Sequence, residues 1–360
     1  AGGGDARGSC RSGGDNPASG AEHSVNITGL PMRGIIRLLI VTALLCAMPL
    51  VTRSGIADPL SPPRNLASRL RGHIDTLAKA GGTGSRVVFT DGNRWAVEYV
   101  LAEMRKSTPN VRADTFMVAR KSLKGSSPLV DPVAIVAGKS DSIIVICAHI
   151  DASGSRDGGW ERNWSHARAP GADDDGTGIA ALLETLTLVA SSDLKPQYTL
   201  MFVACNAEER NPDYAGLAHA DGHHLGSRYM AGKLSRERKP VRAVISMDMV
   251  GWNPGEDYMP IFTTPRSQWL AADLQARRSF LGLDLNLATI ATPCPNSDNE
   301  SFDRFGFPAV LLMESCKPWV SDRHHPRNPV YHTARDLPTM VSYGLLEKVT
   351  RLISSYALKP

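Results

Sequence analysis

The sequence predicts an α/β fold for residues 58–360, with a mixed, mainly parallel central sheet flanked by helices on both faces. Two observations predict it. Continuous β-rich apolar runs at 142–148 (SIIVICA), 198–204 (YTLMFVA), 241–247 (VRAVISM) and 308–313 (PAVLLM) read as strands buried on both faces. Between them lie stretches with apolar residues at helical spacing: Ile179, Leu182, Leu183 and Leu186 within 178–189, and similar patterns over 269–281 and 345–358. That alternation is the pattern of a sheet covered by helices.

Bulk properties agree. The chain has 360 residues, 42% hydrophobic and 21% charged, a composition that buries a sizeable core and excludes disordered and collagen-like classes. A formal net charge of +4, with no basic run interleaved with aromatics, gives no reason to expect nucleic acid as a partner. From residue 58 onward there is no long linker, repeat or low-complexity block, so this part reads as a single globular catalytic domain.

The N-terminal stretch is different. Residues 1–31 are rich in Gly and small polar residues and read as a disordered upstream extension. Residues 32–57 read as a signal peptide: Met32, basic Arg33 and Arg37, an apolar run from Leu38 to Val51, then small Gly55 and Ala57. The run falls short of the roughly 20 residues that span a bilayer, and Pro49 interrupts it. No stable membrane anchor is therefore expected, and the protein is expected to be secreted or periplasmic. Cys10 and Cys46 would be removed, Cys147 and Cys205 sit in apolar runs as small hydrophobes, and Cys294 and Cys316 lie in loop-like sequence where export permits a bridge.

In open α/β sheets ligands bind beyond the carboxyl ends of the strands, so the residues after each run are the candidates. After the first run, His149 and Asp151 stand two positions apart on one side of an extended chain, the spacing of a metal-binding imidazole and the carboxylate that accepts its other N–H. Asp173, Asp174 and Asp175 precede a helix; they suit its positive end, and a divalent cation would relieve their mutual repulsion. Glu208 and Glu209 come after the second run, and Asp248 after the third between two methionines, where an ionised group is costly unless paired or metal-bound. His332 and Asp336 precede the last helix.

The order and local sequence of these residues resemble the co-catalytic two-zinc aminopeptidase family typified by bacterial secreted leucyl aminopeptidase, with glutamate carboxypeptidase and glutaminyl cyclase as relatives. The resemblance runs from about residue 64 to the C-terminus and rests on 169–178 (APGADDDGTG), Ala207-Glu208-Glu209, 226–231 (GSRYMA), Ser297-Asp298 and Tyr331-His332-Thr333. It implies a zinc-exopeptidase-like fold and two zinc ions per chain. His149 and Asp248 would hold one ion, Glu209 and His332 the other, and Asp173 would bridge them. It also implies a cis peptide between Asp173 and Asp174, supporting roles for Asp151, Asp174 and Asp336, and Glu208 as general base and acid toward a hydroxide shared by the metals. The implied reaction is hydrolysis of N-terminal aminoacyl bonds in peptide substrates. A two-zinc carboxypeptidase or other amide hydrolase is the alternative, and an inactive binding domain of the same fold is the alternative of another class.

Departures are local. Members often carry a His where this chain has Asn299, and 293–296 (PCPN) lacks the Tyr that some relatives use to stabilise an oxyanion. His223, His224, His324 and His325 are expected to be solvated loop residues rather than ligands, since none has a carboxylate at ligand spacing.

Overall fold

The four apolar runs become adjacent strands of one eight-stranded sheet, ordered β1-β2-β4-β3-β5-β8-β6-β7. The structure is a computed structural model and describes residues 65–217 and 222–359. The expectations for 1–31 and 32–57 lie outside the described residues. In chain order the elements are α1 (Leu66–Lys79), α2 (Asp91–Ser107), β1 (Val111–Arg120), β2 (Gly125–Val136), β3 (Ser140–His149), α3 (Trp160–Asn163), α4 (Gly176–Ala190), β4 (Tyr198–Cys205), α5 (Leu225–Arg236), β5 (Val241–Met247), β6 (Tyr258–Thr263), α6 (Gln268–Leu281), β7 (Asn286–Ile290), α7 (Asn299–Arg304), β8 (Ala309–Leu312) and α8 (Tyr343–Ala357).

The sheet is mixed in the expected sense. β3 pairs in parallel with β4 and β5, β5 with β8, and β6 with β7. The β1–β2, β2–β4 and β6–β8 pairs are antiparallel. Register places the strand ends: His149 lies opposite Cys205, Cys147 opposite Ser246 and Met247 opposite Leu312, so β3, β4, β5 and β8 end at one level.

Side chains alternate across a strand, which explains why these runs are continuously apolar. Ile144, Ile146, Leu200, Phe202, Ile245 and Leu312 face a core shared with α1, α2, α4, α6 and α8. Val145, Cys147, Met201, Val203 and Val244 face the opposite layer, where Met230, Ala231 and Leu234 of α5 and Phe302 of α7 cover them. Helix α4 is buried almost all round from Gly176 to Leu186, between the sheet and its neighbours α1 and α8. Its buried Glu184 is compensated by α1, through Arg69 at 2.8 Å and His73 at 2.9 Å. Among the described residues, no helix is long and apolar enough to cross a membrane.

Candidate metal centre

The level strand ends bring the chemistry together. His149 is the last residue of β3, Glu208 and Glu209 come just after β4, and Asp248 directly after β5. Asp174 enters from the loop before α4, and His332 from the long connection that precedes α8. Asp174 stands between the two imidazoles, its Oδ1 3.2 Å from His149 Nε2 and its Oδ2 3.1 Å from His332 Nε2. Each of these nitrogens faces a second carboxylate as well: Glu209 Oε1 at 2.8 Å from His332 Nε2, and Asp248 Oδ1 at 3.6 Å from His149 Nε2. These two carboxylate oxygens are buried, yet they accept no hydrogen bond from the described residues. Acids and imidazoles that converge in this way offer the donor set of a cation once the imidazoles give up their protons, and nitrogen and carboxylate donors suit zinc.

Asp175 also brings an oxygen within ligand distance of His149 and Asp248. Its carboxylate is already engaged, however: Oδ1 accepts N–H groups from Gly178 at 2.8 Å and Met249 at 3.2 Å, and Oδ2 accepts the His149 N–H at 3.0 Å. Asp175 thus caps α4 and ties three ligand-bearing segments together.

The position expected for the bridging acid is corrected by one residue. The Asp173 side chain turns away, its Oδ1 accepting the Gly251 N–H at 3.1 Å and its Oδ2 lying 3.4 Å from Asn328 Nδ2 in a buried pocket with Glu314. Asp174, expected in a supporting role, is the acid that faces both histidines. The cis peptide is likewise one step further, between Asp174 and Asp175. The cause is the clamping on either side. Asp336 accepts the Asp173 and Asp174 N–H groups, one on each oxygen and both at 3.0 Å, while Asp175 is fixed by its own three contacts. Only the middle carboxylate is left to face the site.

Asp151 acts by the same device and differs from its expected role. His149 Nδ1 lies 3.1 Å from the Asp151 carbonyl oxygen and 3.7 Å from its carboxylate. The carboxylate instead accepts the N–H groups of Glu208 and Glu209, both at 3.0 Å. His332 finds Ser155 Oγ, 2.8 Å from its Nδ1. Ala207, Met249 and His332 hold left-handed backbone at φ 58°, 50° and 58°, strain of about 1–3 kcal/mol each that persists where neighbours over-determine it.

Arg86 binds these clamps together, and nothing in its local sequence marks it. Fully buried, it donates from Nε to the Ile150 carbonyl at 2.7 Å, from Nη2 to Gly171 at 2.9 Å and from Nη1 to Pro170. Burial lowers its pKa, and the fields of Asp336, Asp175, Asp174 and Asp151 oppose that shift. Gly171, at φ 54°, has no room for a Cβ beside the Asp174 carbonyl and Ala152, so this turn requires glycine.

The donor groups line a cavity of about 380 Å³ with Met249, Met313, Trp319 and Tyr331 as apolar walls. The Cys294–Cys316 disulfide, with Cα atoms 5.7 Å apart, joins two loops at its rim; Cys147 and Cys205 are free and buried. Burial pushes the Glu208 carboxyl up to about 8, against the pull of His149 and His224. Despite burial, His149 and His332 hold Asp174 well below the usual carboxylate range. His332 is raised to about 10 by Glu209 and Asp174 in spite of its own burial.

Two histidines expected in solvated loops are buried. His224 is 5% exposed with its ring against Glu208, and His325 is 1% exposed beside Glu314. Their carboxylate partners are 16 and 11 positions away in sequence, beyond any ligand-spacing rule. His324 is half-buried, stacked on the Tyr258 ring and paired with Glu256 at 2.7 Å.

A model of peptidase family M28 matches residues 132–357. A probable leucine aminopeptidase of Arthroderma benhamiae is 28% identical over 209 residues, which are 57% of this chain and 50% of that protein. The chain spans about half the length of the curated relatives it matches. A glutaminyl cyclase from an Acidobacteriales bacterium superposes with a TM-score of 0.66 at 19% identity, covering 82% of this chain and 95% of that one. A zinc aminopeptidase from Bacillus subtilis superposes with a TM-score of 0.62 at 14% identity, covering 81% and 94%. At such identities the structural likeness shows the fold alone. The family match, by contrast, covers more than half of the chain and includes every residue of the paired donor groups, and the chain therefore belongs to peptidase family M28.

Proposed function

We propose that the protein is a two-zinc exopeptidase that hydrolyses N-terminal aminoacyl bonds of peptides, with His149 and Asp248 holding one ion, Glu209 and His332 the other, and Asp174 between them. The observation that carries the reading is the pair of donor groups joined through the two oxygens of Asp174, each completed by a buried carboxylate oxygen that accepts no hydrogen bond from the described residues. Bound zinc supplies Lewis-acid polarisation of the scissile carbonyl and makes water acidic enough to react near neutrality. The chain's own residues do the rest. Glu208, buried on the cavity wall, accepts a proton from the attacking water and returns it to the leaving amine. Met249, Met313 and Tyr331 offer an apolar wall to the first side chain.

Cyclisation of N-terminal glutamine, the chemistry named for several fold neighbours, is the second reading. There the amino group itself attacks the side-chain amide and no water needs activating, so a second complete donor group beside Glu208 argues against it. Export to an oxidising compartment is supported by the Cys294–Cys316 disulfide. The test is substrate choice by the zinc-loaded chain: aminoacyl amides should be cleaved and their N-acetyl forms should not. Equal cleavage of both, or release of a cyclised product from glutaminyl peptides, would defeat the proposal.

A further inference from the structure

We propose that His224 is a positioning residue for Glu208, fixing one carboxylate oxygen so that the other faces the substrate cavity. The proposal rests on the reading of Glu208 as the general base. After β4 the chain leaves the site at Arg210 and returns at His224, where it runs back beside the segment it left. His224 N–H donates to the Glu208 carbonyl at 2.9 Å, Leu225 N–H to Ala207 at 2.8 Å and Gly226 N–H to Asn206 at 3.0 Å. At this return His224 adopts left-handed backbone, φ 56° and ψ 38°, immediately before α5. A non-glycine residue held there costs energy that the surrounding contacts must offset. The conformation aims the imidazole inward. Nε2 reaches Glu208 Oε1 at 3.1 Å, and Nδ1 faces Glu300 Oε2 at 3.4 Å.

Glu300 is not free to follow a moving ring. Its Oε1 is held by Arg304 on the next turn of α7, at 3.0 Å from Nε and 2.6 Å from Nη2. The series Glu208, His224, Glu300, Arg304 therefore runs from the cavity wall to the exposed face of α7, and both Glu208 and His224 are only 5% exposed. A glutamate has three side-chain torsions, and its carboxylate is an effective base only while it points at the water it deprotonates. His224 grips the residue at two points, through backbone and ring, and removes that freedom. Neither His224 nor Glu300 touches a residue of the paired donor groups through its side chain in the described contacts, so the effect is expected on turnover rather than on metal binding.

The two imidazole nitrogens are separable by isosteres, because a glutamine places its amide near Nε2 and an asparagine near Nδ1. Both variants are made in the full chain, loaded with zinc, and compared with wild type for kcat, KM, bound zinc and thermal transition. His224→Gln should keep kcat within about fivefold of wild type, whereas His224→Asn, which fits left-handed backbone but cannot reach Glu208, should lose about 30-fold or more in kcat with KM changed less than about threefold and zinc content unchanged. Glu300→Gln, a change at a half-buried surface, should cost kcat a few-fold and decides the matter if His224→Asn fails to fold. The proposal is overturned if Asn is as active as Gln, if Gln is as impaired as Asn, or if the loss falls on KM or zinc. Glu208→Gln separates this from the underlying reading: turnover surviving there means Glu208 is not the base, while a dead Glu208→Gln beside a fully active His224→Asn sinks only the positioning role.

Discussion

Arg86 gives the sharpest test of how the site is held, because its partners are all backbone carbonyls of ligand-bearing loops. Methionine at this position keeps the approximate length and removes the charge and all donors. The buried carbonyls of Ile150 and Pro170 then lose their donor, while that of Gly171 keeps the Gly176 N–H at 3.0 Å. Each orphaned group costs about 1–3 kcal/mol before relaxation. The acids around it, Asp336, Asp175, Asp174 and Asp151, also lose their only fully buried guanidinium among the described residues. Breaking a buried charge cluster by removing one member costs about 3–5 kcal/mol, and these costs overlap rather than add. The expected loss is therefore about 3–5 kcal/mol, a large share of the ~5–15 kcal/mol by which domains are stable. Urea unfolding of the zinc-loaded protein, followed by tryptophan fluorescence, should show the midpoint falling by about 1–2 M for Arg86→Met. Arg86→Lys retains the charge as a single point without the fork, and should fall between the two. A midpoint for Arg86→Met within error of wild type would refute the idea that this residue holds the loops in place.

Further outcomes are expected from the same contacts. Asp174→Asn should lose most of both bound zinc ions, whereas Asp173→Asn should retain them, as metal analysis after gel filtration would reveal; the reverse order would restore the bridging role to Asp173. In the chelated protein, Glu208 is raised to about 8 and Asp336 to about 7 by burial, and His224 and His332 are raised to about 10 by their carboxylate partners. All four bind more protons folded than unfolded, so their contribution to stability is full at low pH and is lost as pH rises through these values. Zinc requires deprotonated ligands and binds more tightly as pH rises. The gap in melting temperature between zinc-loaded and chelated protein should therefore widen from about pH 6 to about pH 9, and a constant gap would contradict these shifts. Gly226→Ala should destabilise the return segment, since a Cβ there would collide with the Asn206 backbone and the Asp131 carboxylate; a thermal transition equal to wild type would show that the chain can move aside.

What the sequence disclosed, and what it hid, divides along physical lines. His149, Glu209 and Asp248 are legible because an ionisable residue directly after a doubly buried run has few inexpensive explanations. The strands β3, β4, β5 and β8 are legible for the same reason. The strands β1, β2, β6 and β7 stand outside the runs that periodicity picks: the edge strands β1 and β7 are half exposed and their pattern weaker, whereas β2 and β6 are interior strands whose runs are broken by Pro128 and Pro132 and by Pro260. The choice among Asp173, Asp174 and Asp175 is hidden from spacing, since three identical neighbours differ only in which backbone N–H groups hold them. Asp336 settles it from 162 residues away. Arg86 and His224 are hidden likewise: their partners are brought near by the sheet and by the return of a loop, and neither lies within a window that a motif can describe.

The central claim is two metals acting on a free amino terminus, and titration of the chelated chain with zinc while monitoring aminoacyl amide cleavage tests it most directly. Activity should rise with occupancy of two ions per chain and fall again on chelation, and Glu208→Gln should bind the same two ions without turnover. Saturation at a single ion with full activity, or activity that survives chelation, would contradict the account.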